Sequence, residues 1–144
     1  MKLSTKGRYG LRAVIYLAAN RDSGYIPLYM IAEAEDISER YLEQVFSALK
    51  KASIVKSVKG ARGGYYLTRE NKDISVYDVL YSIEGDLSIV DDMPDDTLLK
   101  RCISTCVWEK VNEAIFNVTT ETKLDELVEK YKRLKGHQEI MYYI

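Results

Sequence analysis

The sequence predicts a mainly α fold with a small β-wing (α+β), in which a winged helix-turn-helix precedes a long amphipathic helix. Three observations predict it. Residues 58–67 hold Lys59 and Arg62 among Gly60, Gly63 and Gly64 between two extended runs, the pattern of a tight basic hairpin. Residues 38–51 carry Leu42, Val45, Phe46 and Leu49 at helical spacing, with a shorter helix and a tight turn just upstream. Residues 97–118 sustain one apolar stripe over several turns. Two short helices followed by a basic hairpin form a module that reads duplex DNA.

Each element has a local cause. Ser4 or Thr5 can cap a first helix reaching about Asn20, with Leu11, Val14, Ile15, Leu17 and Ala18 on one face. Asp22, Ser23 and Gly24 make a turn. Pro27 precedes a helix over 28–35 that turns Leu28, Ile31 and Ala32 inward. After a turn at Asp36 and Ile37, Ser38 caps the next helix. Its outer face shows Glu39, Arg40, Glu43, Gln44 and Ser47, with Tyr41 at the edge. The helix-turn-helix spans about 28–51, and the wing spans 54–68 with strands at 54–58 and 64–68. Asn71, Lys72 and Asp73 turn the chain, and Ser75 with Asp78 forms a capping-box variant for a helix ending near Glu84, where Gly85 suits the terminus. Residues 86–96 are an acidic loop with Pro94. The long helix at 97–118 has Leu99, Ile103, Val107, Val111, Ala114, Ile115 and Val118 in its stripe and Trp108 beside it. A last helix at 122–134 presents Leu124, Leu127, Val128 and Tyr131, and the tail at 135–144 has no clear period.

Composition narrows the function. At 47% hydrophobic and 30% charged, the chain suits a folded globular domain. Residues 1–69 hold twelve lysines and arginines against six aspartates and glutamates, a net of +6; the remainder holds nine against sixteen, or −7. This asymmetry suggests a basic binding half, residues 1–69, and an acidic half, residues 70–134, with another role. Lys2, Lys6, Arg8 and Arg12 cluster at the start of the first helix, where the helix dipole favours anions, so an external phosphate is the expected partner. Lys6, Arg8 and Lys56 are candidates for phosphate contact. No apolar run is long enough to span a bilayer and no signal peptide is recognisable, so a cytoplasmic protein without membrane contact is expected. With His137 as the single histidine and no phosphate loop or zinc motif, no catalytic set can be assembled, and an enzyme is not expected.

Three blocks together carry a family resemblance: Ser4-Thr5-Lys6-Gly7-Arg8-Tyr9-Gly10, Tyr41-Leu42-Glu43-Gln44, and Lys59-Gly60-Ala61-Arg62-Gly63-Gly64-Tyr65. In this order and spacing they resemble the Rrf2 family of bacterial transcription regulators, over nearly the whole chain to about Leu134. The resemblance implies a repressor that binds double-stranded DNA as a homodimer. Ser38, Arg40, Tyr41, Glu43 and Gln44 would face the major groove. There Gln44 can pair with adenine, Arg40 with guanine, and Glu43 can accept from a cytosine amino group. Lys59 and Arg62 would enter the minor groove, although the family more often has arginine at position 59. The long helix becomes a dimerisation helix, with Val107, Trp108, Val111 and Ile115 at the seam.

Many members of that family hold an iron–sulfur cluster on three cysteines before a tryptophan. Counting back from Trp108, Cys102 falls on the last of those positions, Thr105 replaces a histidine found in some members, and residues 86–101 hold no cysteine. Cys106 lies one turn later, outside the family's spacing. No cluster, cofactor or metal site is therefore expected. The cysteine pair keeps three readings: small hydrophobes near the dimer seam, a redox switch between subunits, or a non-standard metal or cluster sensor that adds Asp91, Asp92, Asp95 or Asp96. An intrahelical bridge fits poorly, because side chains at i and i+4 run parallel. A small-molecule effector or a protein partner, such as the metabolic enzyme used by one family member, completes the expected signals.

Overall fold

Helix α1 (Thr5–Ala19) packs against every other helix of the N-terminal half and against the wing. The structure, a computed structural model, describes residues 3–90 and 96–143, so Lys2, Asp91, Asp92, Pro94 and Asp95 lie outside the described residues. Ser4 is the cap of α1: its hydroxyl accepts the Gly7 N–H at 3.2 Å. Ala13, Val14, Leu17 and Ala18 are buried.

Helix α2 (Leu28–Glu35) buries Leu28 and Ile31 and ends at Asp36 in the left-handed region, φ 52°. The turn leads to Ser38, whose hydroxyl accepts the Tyr41 N–H at 3.0 Å and starts α3 (Glu39–Lys51). Leu42, Val45, Phe46 and Leu49 have no exposed surface. Burying each such side chain is worth about 1.5–3 kcal/mol, so this stripe holds α3 in place and fixes which side faces outward.

Strands β1 (Val55–Val58) and β2 (Gly64–Leu67) pair antiparallel, with Val55 opposite Leu67 and Val58 opposite Gly64. Ile54 and Thr68, expected inside the strands, lie just beyond them and are joined by Thr68 N–H donating to Ile54 O at 3.0 Å. The sheet also has a third partner that the sequence did not suggest. Ile26 and Tyr65 exchange backbone hydrogen bonds of 3.0 and 2.8 Å. One paired residue leaves no periodicity to detect. It does explain Gly64, where a Cβ would overlap the Ile26–Pro27 backbone. Only Gly60 in the wing tip has a positive φ, 115°; at Gly63 the constraint is again space, because a Cβ there would overlap the Val58 carbonyl.

Helix α4 (Val76–Glu84) has the expected capping box between Ser75 and Asp78 and ends at Gly85, φ 78°. The long helix is composite: α5 (Leu98–Ile103), a π-helical turn at Ser104–Trp108, and α6 (Glu109–Glu121). None of these three segments contains a buried residue. Its apolar stripe therefore does not enter the protomer's core, and Leu99 and Val118 are 70% and 63% exposed. Contact with the body runs instead through Asn112, whose side-chain oxygen accepts the Ile89 N–H at 2.9 Å, and Phe116, set edge-on to Tyr77 at 5.2 Å.

Helix α7 (Leu124–Tyr143) differs from expectation in length. It continues through Gly136 across the stretch read as an aperiodic tail. Leu124 and Val128 bury its first turns against the core. Beyond them, helix-favouring charged residues and the Arg133–Glu129 pair at 2.7 Å sustain it without an apolar stripe. Backbone bonds from Val76 to Thr122 (2.9 Å) and from Leu124 to Ile74 (3.0 Å) tie its start to α4.

Candidate nucleic-acid interface

The buried stripe of α3 leaves Arg40, Glu43 and Gln44 on the opposite, exposed face. Among the described residues none of these three side chains makes a hydrogen bond or ion pair within the protomer. Their donors and acceptors are available to base edges. Ser38 is also exposed; its hydroxyl accepts the Tyr41 N–H as the α3 cap and keeps its own O–H to donate. Tyr41 is half-buried, its ring edge-on to Tyr9 at 5.6 Å. It positions α3 on α1 through its ring.

The cations divide into two groups. Arg8, Lys56, Lys59 and Arg62 are exposed, and Lys6 is half-buried. Apart from a 3.3 Å bond from Arg8 to Thr5, none of the five has an internal partner among the described residues. Arg12 behaves differently from its neighbours. Its guanidinium donates to the Glu35 carbonyl at 2.6 Å, approaches the Glu35 carboxylate at 3.5 Å, and stacks over Tyr9 at 5.4 Å. It clamps the C-terminal end of α2, where a cation also suits the helix dipole. Lys50, absent from the candidates, donates to Ser57 at 2.8 Å and links the end of α3 to the wing.

A second contact that sequence reasoning missed ties the N-terminal end of α1 to α4. One carboxylate oxygen of Glu84 accepts both the Ser4 N–H, at 3.1 Å, and the Ser4 hydroxyl. The signal was present in Gly7 and Gly10. A Cβ on Gly7 would overlap the Glu84 carboxylate, and one on Gly10 would overlap Ile83 Cδ1. These glycines let the end of α4 lie directly on α1 and so hold the turn carrying Lys6 and Arg8.

On the far side, Val107 and Trp108 are 41% and 38% exposed. Val111 and Ile115 are half-buried and line a shallow apolar groove with Ala114 and Val118. Cys102 and Cys106 are both free and exposed in the protomer. They are not core hydrophobes of this chain, and only a partner surface would bury them. Among the described residues no group of three or more histidine, cysteine, aspartate or glutamate side chains is placed to hold a metal ion, and no helix is long and apolar enough to cross a membrane.

The chain is similar to known proteins over most of its length. The Rrf2 family profile, described as an iron-dependent transcriptional regulator, matches residues 3–130. The HTH-type transcriptional regulator CymR of Bacillus subtilis (strain 168) is 39% identical over 145 residues, covering 100% of both chains. The HTH-type transcriptional regulator IscR of Klebsiella pneumoniae (strain 342) is 34% identical over 137 residues, 89% of this chain and 80% of that one. The solved structure of B. subtilis CymR, named there as the global cysteine regulator, matches with a TM-score of 0.80 at 38% identity, covering 90% of this chain and 98% of the other. That of T. potens IscR matches at 0.74 and 40% identity, covering 91% and 88%. With a family profile spanning nearly its whole length and full-length relatives well above 30% identity, the chain belongs to the Rrf2 family of DNA-binding, helix-turn-helix transcriptional regulators.

Proposed function

We propose that this regulator acts as a homodimeric, cytoplasmic repressor that reads two duplex half-sites, one with each α3. The observation that carries this reading is the exposed trio Arg40, Glu43 and Gln44, unpaired within the protomer and opposite the fully buried stripe of the same helix. Lys6, Arg8 and Lys56 supply phosphate contacts, each phosphate neutralised steepening the salt dependence by a slope of about 0.9. Gln44 and Arg40 recognise adenine and guanine edges, and Glu43 accepts from cytosine while repelling misplaced phosphate. Lys59 and Arg62, at the tip of the wing, enter the minor groove.

The exposed stripe on the π-turn and α6 supports the homodimer. Exposed Val107 and Trp108, with half-buried Val111 and Ile115, leave an apolar face on a helix that has no fully buried residue of its own. A twofold partner covers that face and sets the spacing between the recognition helices.

The family description names iron, but the donor set here does not fit a cluster held within one protomer. The whole chain has two cysteines and one histidine, and the cysteines are four residues apart on one helix. Cluster ligation is dominated by four cysteines. Regulation proceeds without a cluster, through a small molecule, a protein partner or the exposed Cys102–Cys106 pair.

In vitro selection of bound duplexes, followed by mobility shift over a range of salt, tests the reading. An inverted repeat bound by a dimer is the expected result. A strictly monomeric protein with no duplex preference at low ionic strength overturns it.

A further inference from the structure

A cavity of about 340 Å³ lies between the end of α4, the loop after Gly85 and α6. Its walls are mostly apolar, including Leu80, Leu87, Ile89 and Ile115, and the acidic residues Glu84 and Asp86 are among those that line it. This combination of size, apolar lining and few polar groups is that of a small-ligand site. We propose that the cavity is an effector site for a small aliphatic amine. Its chain would lie against the leucines and isoleucines, and its ammonium between Glu84 and Asp86.

Charge complementarity favours this ligand. One oxygen of Glu84 is engaged by Ser4, and one oxygen of Asp86 accepts from the Ser88 N–H at 3.1 Å and hydroxyl at 2.9 Å. A carboxylate has about four lone-pair sites, so each retains capacity for an ammonium, which brings three donors. Neither a carboxylate ligand nor a neutral alcohol of equal length can satisfy both groups.

The same geometry gives the site a consequence. Glu84 is also the anchor of Ser4, the cap of α1, and Lys6 and Arg8 follow on the next turn. An ammonium on the free oxygen of Glu84 draws charge from the oxygen that Ser4 donates to, weakens that bond, loosens the start of α1 and lowers affinity for DNA. Linkage requires the reverse as well: bound DNA lowers affinity for the amine by the same factor. This consequence rests on the DNA-binding reading above, whereas the cavity's choice of ligand does not.

Calorimetry on the full-length protein with n-pentylamine, pentan-1-ol and pentanoate separates the two. Saturable binding of the amine, at least about tenfold tighter than the alcohol, is expected, with a fall in affinity for the selected duplex of about fivefold or more at saturation. Asp86→Asn should weaken the amine about tenfold and leave DNA binding by the unliganded protein unchanged. Equal binding of amine and alcohol, no saturable binding, or a partner's side chain filling the cavity in a structure of the dimer overturns the proposal. If unliganded protein binds its duplex while the amine fails, only this inference falls. If the amine binds while no duplex is preferred, the DNA-binding reading falls instead.

Discussion

The carboxylate of Glu84 occupies the space that a side chain at Gly7 would fill. It accepts the Ser4 N–H from that position, so the last residue of α4 secures the first turn of α1. Gly7→Ala should therefore displace the Glu84 side chain and break its bond to Ser4, a loss that offsets the roughly 1 kcal/mol alanine gains over glycine within a helix. In Glu84→Ala the same change should cost less, because the obstructing carboxylate is gone. A double-mutant cycle by urea unfolding checks this, with a coupling of about 0.5–3 kcal/mol expected and strict additivity counting against the contact.

The wing depends on a different close approach. Gly64→Ala should break the Ile26–Tyr65 bridge, because its Cβ meets backbone that has no rotamer to change. Amide exchange at Ile26 and Tyr65 should rise, and stability should fall by about 1–3 kcal/mol. Unchanged protection at both amides would contradict the bridge.

Base reading and phosphate contact predict different losses. Gln44→Ala should reduce preference for the selected duplex over random DNA by about 1–3 kcal/mol. Lys6→Ala should weaken all duplexes alike and lower the salt slope by about 1. Fluorescence anisotropy on both duplexes over several salt concentrations distinguishes the two. An equal loss on random DNA for Gln44→Ala would argue against base recognition by that residue.

The exposed stripe of the long helix gives a test of assembly. Val107→Asp places a charge in a surface that must desolvate on dimerisation. Since Val107 is 41% exposed in the protomer, its fold should survive by circular dichroism while sedimentation shifts from dimer to monomer. Affinity for the inverted repeat should fall with it, because each monomer then binds one half-site. A dimer that persists in Val107→Asp would place the interface elsewhere.

Much of this protein was legible residue by residue. The period of Leu42, Val45, Phe46 and Leu49 located α3 and its outer face, and Ser38 and Ser75 marked two helix starts. Arg12 was not legible as a clamp. It belongs by sequence to a basic cluster, and its partner Glu35 is 23 residues away. The far end of α7 was missed because Gly136 interrupts it and its apolar residues, such as Ile140 and Met141, are adjacent and exposed and not at helical spacing.

By itself, the sequence determined the order of the main elements, the caps at Ser38 and Ser75, and which face of α3 turns from water, because these follow from spacing within a few residues. Only the tertiary structure decided what the long-range partners are: Glu84 on Ser4, Ile26 on Tyr65, Arg12 on Glu35, and an α6 stripe left outside the core. Those outcomes depend on which surfaces meet once all the helices compete for one interior. Local periodicity cannot encode a choice made between distant segments.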